Sequence, residues 1–359
     1  MSKTRQALFF ASVLALMAPG AHAVGPPPSV APEGPVWSAG AGFQFADKAD
    51  KKRESLSGIA CPPVSSSPRR CIATFDEGGE ERYVLIGNER LVPKPDRIVL
   101  LPDDKELDAE GAARDGDMVY VTGSHSPKRK SCEPNPSSRH VFRFKVDRAT
   151  SQAKLDGTGK PFGLEDDQGR LWKLLMTNPV LGKFVGDGKC LGKPDHAANI
   201  EGLAVRDGVV YFGFREPAKD KQTYILPVRA DQLFSSGDLS AVPFTVEVGG
   251  GRGIRDLLAV PEGLLLLIGP DDGSPDVGWS VALWDGSGSA TDVAVPRLLA
   301  NLDLRSLSPK PCKPPKPGKA AEIKPEAFTM LEDGADFRRL LILSDGMCDG
   351  GAVSFGVPK

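Results

Sequence analysis

No two cysteines among the 359 residues have C-x-x-C spacing, which sets aside the commonest zinc and redox motifs. Histidine is scarce at four residues, and His140 and His196 stand singly among polar neighbours, so there is no histidine-based metal signature. Charge of one sign is lacking too. A net charge of -2 gives no electrostatic reason to expect nucleic acid or a membrane surface as partner. Long apolar runs are confined to the N-terminus, since "DLLAVPEGLLLLIGP" is broken by Pro261 and Gly263. No membrane insertion of the mature chain is therefore expected.

The N-terminal run is of another kind. In "MSKTRQALFFASVLALMAPGAHA", Lys3 and Arg5 precede an apolar stretch from Ala7 to Ala18, and Ala21 and Ala23 close it in A-x-A form. That pattern predicts a secretory signal peptide at residues 1–23, hence a periplasmic or secreted protein. No cysteine follows the predicted cleavage site, so no lipoprotein anchor is expected. In an oxidising compartment the even set of six cysteines reads as disulfides. Cys61 and Cys71 flank the turn-rich "PPVSSSPRR" and are expected to staple a hairpin. Cys132 with Cys190, and Cys312 with Cys348, are the further candidate pairings.

Residues 24–50, with "VGPPPSVAPEGP", read as an extended leader with little structure of its own, and 51–359 as one folded domain. Within that domain a pattern recurs: a short apolar strand, a turn such as "RDG" or "PEG", then a second, more apolar strand. It appears near Ser57, Glu110, Glu201, Asp256 and Glu326. Period-two runs joined by such turns are β-hairpins. Their heads recur every roughly 50 to 90 residues, and the mean interval falls near the length of one four-stranded sheet. The expectation is an all-β protein, a β-propeller of five or six blades. "DQGRLWKLLMTNPVLGKF", in the longest interval, reads as a helix and loop, though that interval has room for a sixth blade.

In a propeller the innermost strand of each blade lines the channel. Glu110, Glu201, Asp256 and Glu326 should then converge at one mouth, with Ser57 in the fifth slot. Four converging carboxylates repel one another unless cations or backbone donors offset them. Arg215, Arg252 and Arg255 are the candidate partners. The acids either stitch the ring through backbone N–H groups, hold a divalent cation such as calcium, or recognise a small polar ligand. His125, in "GSHS", is a further candidate, although neighbours on a strand point to opposite faces. Asp76, Glu77 and Glu80, and likewise Asp345 and Asp349, read as acidic turns in water. Whether the protein is an enzyme is left open. A binding module leads, with a calcium-dependent phosphoester or lactone hydrolase, or a protein-interaction scaffold, as alternatives.

"ELDAEG" with "VYVTGSHS", "NIEGLAV" with "VYFGFR", "GGGRGIRDL" with "LLLIGP", and "KPEAF" with "LLILSDG" resemble, in that order, the bacterial family called domain of unknown function 3616. The resemblance runs from about residue 55 to 355. It implies a propeller-like fold and brings no established activity, so no catalytic residue is carried over. A looser similarity links the chain to the esterase-like phytase and gluconolactonase propellers, where "EG" opens inner strands and acidic channel residues hold calcium. Glu110 and Glu201 match that local pattern. The Asn-containing ligand sets of lactonases are not evident.

Overall fold

The computed structural model describes residues 26–102, 105–192, 196–271, 276–289, 291–315 and 321–359. The expected signal peptide lies outside these described residues. A two-residue strand β1 (Ser29–Val30) and a short helix α1 (Ala49–Arg53) precede the first blade, which holds β2 (Leu56–Ala60), β3 (Arg69–Phe75), β4 (Glu80–Gly87) and β5 (Arg90–Val99). Blade 2 holds β6 (Ala109–Asp115), β7 (Met118–Gly123), β8 (Val141–Lys145) and β9 (Glu165–Asp166). The helix α2 (Arg170–Thr177) follows where the sequence predicts one.

Blade 3 holds β10 (Asn199–Arg206), β11 (Val209–Glu216), β12 (Gln222–Arg229) and β13 (Phe244–Glu247). Blade 4 holds β14 (Arg252–Val260), β15 (Gly263–Pro270) and β16 (Trp279–Trp284). Its β17 (Val293–Ala294) leaves to pair with β13, and β18 (Arg297–Leu302) completes the blade. Blade 5 holds β19 (Lys324–Asp333), β20 (Phe337–Asp345) and β21 (Val353–Pro358). The innermost strands touch in the order β2, β6, β10, β14, β19 and back to β2, so the ring closes with five blades.

Turn chemistry fits the hairpins. Between β10 and β11 the register pairs Arg206 with Val209, leaving Asp207 and Gly208 as a two-residue turn. Both have positive φ, 53° and 72°, as the tight hairpin turn demands. The core is divided among the gaps between blades. One apolar cluster lies in each gap, such as Ala204, Ile225 and Val246 of blade 3 against Ile254, Leu257 and Leu266 of blade 4. Each blade thus hides both faces only because it has a neighbour on each side.

The segment read as a loose leader is an extended strap across three blades. Val30 and Ser29 pair in parallel with β18, the Glu33 and Trp37 N–H groups donate to Ser354 and Ala352 beside β21, and Ser38 bridges to Arg90. Its Phe43 is buried, and the Asp349 carboxylate accepts from the Phe43 N–H at 2.8 Å and from Arg53 at 2.6 and 2.8 Å. Asp349 is therefore a clamp between blade 5 and the strap rather than a solvated turn. All three expected disulfides are present: Cys61–Cys71, Cys132–Cys190 and Cys312–Cys348. Such bonds suit an oxidising compartment. Among the described residues no helix is long and apolar enough to cross a membrane.

One buried acid has little polar support, only the Phe75 N–H and the nearby Arg82 charge acting against its burial. Glu81 is 1% exposed, neither of its oxygens has a well-placed donor, and burial pushes its carboxyl well above the usual range. It shares a strand face with Tyr83 and pairs with Ile98, both in the apolar gap between blades 1 and 2. Replacing a buried, unpaired acid by an apolar group of similar size removes its desolvation cost. Glu81→Leu is expected to raise stability by about 1–3 kcal/mol at neutral pH, measured by urea unfolding. A destabilised variant would show that the carboxyl is held by a partner.

Candidate functional site

Each innermost strand carries the same irregularity near its start. The register skips one residue between Leu56 and Gly58, Ala109 and Gly111, Ile200 and Gly202, Ile254 and Asp256, and Pro325 and Ala327. The skipped residues are Ser57, Glu110, Glu201, Arg255 and Glu326. A bulge turns its extra side chain out of the regular alternation, and here it serves the channel mouth. The residue after it faces the next blade at close range. A Cβ on Gly111 would lie 2.7 Å from the Leu203 Cβ, and one on Gly202 would lie 2.9 Å from the Leu257 Cγ. That contact explains the recurring Glu-Gly pair.

The fourth slot therefore belongs to Arg255 and not to Asp256. Asp256 stands one position on, where three of the other blades have the close-packed glycine (Gly58, Gly111 and Gly202), and it is absent from the cavity lining. Its carboxylate accepts from the Leu257 N–H at 2.7 Å and from the Phe328 N–H of blade 5 at 3.0 Å, with a further backbone donor at Leu203 of blade 3. Asp256 stitches three blades together. Burial nevertheless pushes its carboxyl well above the usual range, against those three donors. Ser57 is also a stitch, its hydroxyl donating to the Ala109 carbonyl of blade 2.

Glu110, Glu201, Arg255 and Glu326 line one cavity of about 580 Å³ at this upper mouth. Arg255 is 1% exposed and lies between two acids: its Nε is 2.8 Å from Glu201 Oε2, and its Nη2 meets Glu326 Oε1. Glu201, 2% exposed, also holds Arg215 at 2.9 Å and accepts from Asn199 Nδ2 at 3.0 Å. The opposite arc of the cavity is built differently. Asp76 and Asp345 line it with Glu110, and each stands one residue beyond the second-strand partner of the residue before a bulge. Arg215 stands at the equivalent place in blade 3. In blade 4 the equivalent is Gly269, where a Cβ would lie 2.2 Å from the Trp279 ring that lines the cavity there.

Arg129 and Lys324 are the cations that line the cavity beside the acidic arc. Asp345 has Lys324 at 3.3 Å. Asp76 Oδ1 is buried without a hydrogen-bond partner, and Glu110 forms no ion pair among the described residues. Burial pushes Glu110 well above the usual range, and Glu201, Asp108, Glu326 and Asp76 push the same way. Asp76 is raised well above its usual value by burial, then by Asp345 and Asp108. Burial carries Glu326 up to about 8, with Asp345 and Glu201 adding to it against Arg255. Asp108 is raised to about 6, again chiefly by burial, despite the Ser124 hydroxyl donated to it. It lines an adjoining pocket of about 360 Å³ with Glu110 and Asn199, whose Oδ1 is buried without a donor.

Two expected members are placed elsewhere. Arg252 lies outside the cavity lining, half-buried, with its Nη1 2.8 Å from the Ser280 hydroxyl. His125 is buried away from it, its Nδ1 3.0 Å from the Gly123 carbonyl, and burial lowers its pKa to about 4. The neighbouring Ser124 and Ser126 hydroxyls bond each other at 2.9 Å rather than the imidazole. Asp76 and Asp345, read from sequence as solvated turns, belong to the cavity instead. Glu77 pairs with Lys51, and Glu80 with Lys52 and Arg82, both outside the cavity lining.

Fold and site together define a five-bladed β-propeller with a charged, largely carboxylate-lined channel mouth. The chain belongs to the family described as "Protein of unknown function (DUF3616)", whose model matches residues 80–147 and 145–348. No curated protein matches the sequence. Among solved structures, the chain is similar to YCF48 bound to D1 peptide, at 12% identity and a TM-score of 0.33. The match covers 89% of this chain and 66% of that one, just under two thirds of its length. It is also similar to a DUF4623 family protein from Bacteroides eggerthii, at 9% identity, TM-score 0.37, and 87% and 72% coverage. YCF48 from Cyanidioschyzon merolae matches at 11% identity, TM-score 0.28, and 84% and 95% coverage.

Proposed function

We propose that this is an exported binding protein whose upper channel mouth takes a small polar ligand bearing positive charge. The observation that carries the reading is that Asp76 and Glu110 line the cavity and form no ion pair among the described residues, although Arg129 and Lys324 line it too. Burial first, and then the surrounding acids, raise both pKa values, and a cationic group beside these carboxyls would offset both costs. The Trp279 ring in the same lining already carries the Arg255 guanidinium, 5.5 Å from its centre. Calcium is the inorganic form of the same reading, since carboxylates are its preferred ligands. Among the described residues, three acid or histidine groups with ligand atoms within 4.8 Å of one another occur at His140, Asp166 and Asp167, outside the channel. A calcium ion at the mouth would therefore complete its shell with water.

The test is the melting temperature of the oxidised protein with calcium chloride, with putrescine and with a chelator, repeated on Asp76→Asn and Glu110→Gln. A ligand at a hundredfold excess over its dissociation constant stabilises by about 2.7 kcal/mol. Both variants are expected to melt higher than the native protein when unliganded and to lose the ligand response. A response to calcium, followed by turnover of a phosphoester or lactone, would turn the binder into a metal-dependent hydrolase. No response to either cation would sink the cationic-ligand reading and favour a scaffold.

A further inference from the structure

At the other end of the channel the charge is reversed. The C-terminal halves of the five innermost strands surround a second cavity of about 560 Å³, closed on one side by the β2–β3 loop that the Cys61–Cys71 disulfide ties. Its charged lining is Arg69, Arg114 and Arg148 against the single acid Asp115. Arg148 is a rim residue, 79% exposed, with Asp117 3.8 Å from its Nε. The other two lie deeper and have neutral partners. Arg69 donates from Nη2 to the Thr329 hydroxyl of blade 5 at 3.1 Å and from Nε to the Pro62 carbonyl at 3.4 Å. Arg114 donates to the Gly116 carbonyl at 2.8 Å and to the buried Ser151 hydroxyl at 2.7 Å.

Neither arginine has a carboxylate partner among the described residues. Burial alone lowers Arg69, to about 10, with no acid pulling it back. Arg114 is lowered for the same chief reason, with Asp117 acting against the shift but making no ion pair with it. A guanidinium taken out of water without a counter-ion carries a desolvation cost that an anion would relieve. Its planar fork also suits two-oxygen groups. Thr329 and Ser151 hold these guanidinium groups in place by accepting from them, which fixes their direction without neutralising them.

We propose that this lower mouth is an anion site, in which Arg69 and Arg114 bind the oxygens of a small carboxylate or phosphate. It is separate from the upper mouth in position and opposite in charge, so it stands whether or not a cation binds there. The probes are inorganic phosphate and succinate, titrated at constant ionic strength against sodium chloride, with melting temperature and calorimetry as readouts. Either probe is expected to raise the melting temperature saturably, phosphate alone marking a phosphate ligand and succinate a carboxylate one. Arg69→Met and Arg114→Met should each weaken binding by roughly tenfold or more. Arg69→Lys keeps the charge and should retain part of the response if Arg69→Met fails to fold. Arg229→Gln, which removes one positive charge from an exposed pair with Asp231, should leave it unchanged. No saturable response in the native protein overturns the site. An undiminished response in Arg69→Met and Arg114→Met overturns it equally.

Discussion

At about pH 9, above the raised pKa of Glu326, Arg255→Met is expected to cost about 3–5 kcal/mol of folding stability, the range for breaking a buried charge pair by removing one partner. The guanidinium is 1% exposed and answers two acids from two blades, Glu201 of blade 3 and Glu326 of blade 5. Without it Glu201 keeps Arg215 and the Asn199 amide, whereas Glu326 loses its one hydrogen-bonded ion-pair partner among the described residues. The second-site prediction follows from that asymmetry. Glu326→Gln should recover more of the loss in the Arg255→Met background than Glu201→Gln does. The coupling between Arg255 and Glu326 in a double-mutant cycle should exceed about 0.5 kcal/mol, the level at which independent sites cease to add. Urea unfolding with an unchanged slope measures each term. A loss below about 1 kcal/mol for Arg255→Met would mean that the two acids are not held as charges by this arginine.

The fold was legible because the hairpins obey local rules. Asp207-Gly208, the alternating strands and the recurring Glu-Gly pair announce blades from the order of residues alone. The helix after blade 2 was legible for the same reason, and with it the fifth blade proved to be the last. The site was legible in part. Glu110, Glu201 and Glu326 were found because the acid recurs at the head of a hairpin, and Arg215 and Arg255 because cations had to be near. Asp256 misled, since its place in line hides a one-residue shift: the bulge in blade 4 falls on Arg255. Bulge position depends on pairing with the second strand, which single-strand periodicity does not record. Asp76 and Asp345 were missed because a carboxylate after a strand looks the same whether the strand ends in water or at a channel. Their signal lay in comparison, for "TFDEG", "FGFREP" and "LSDGM" place Asp76, Arg215 and Asp345 at one equivalent point of three blades. The strap at residues 29–43 was hidden by composition. Proline and glycine suit an extended segment whether it is free or laid against sheet edges.

Between about pH 4.5 and 8 the unliganded protein is expected to lose stability as the pH rises. An acid whose folded pKa exceeds its unfolded value binds its proton more tightly in the folded state. Its stabilising contribution is full below the unfolded pKa and disappears as the pH passes the folded one. Glu326 moves from 4.5 to about 8 and Asp108 from 3.8 to about 6, and Asp76 and Glu110 shift the same way. His125 acts on the acid side with the opposite sense. Lowered from 6.5 to about 4, it favours the folded state above 6.5 and withdraws that help as the pH falls. The four raised acids outweigh His125, so the optimum should lie at the acid end of that range, at about pH 4.5, with an alkaline limb of several kcal/mol from Glu326 and its neighbours. Glu326→Gln should flatten that limb, which equilibrium unfolding across the range would show. The same protons bear on the proposed ligand. A cation entering at pH 7 must displace protons from acids raised this far, so its binding heat should vary with the ionisation enthalpy of the buffer. A limb that survives Glu326→Gln unchanged, or a binding heat blind to the buffer, would mean that these carboxyls are already ionised and that some other charge balances them.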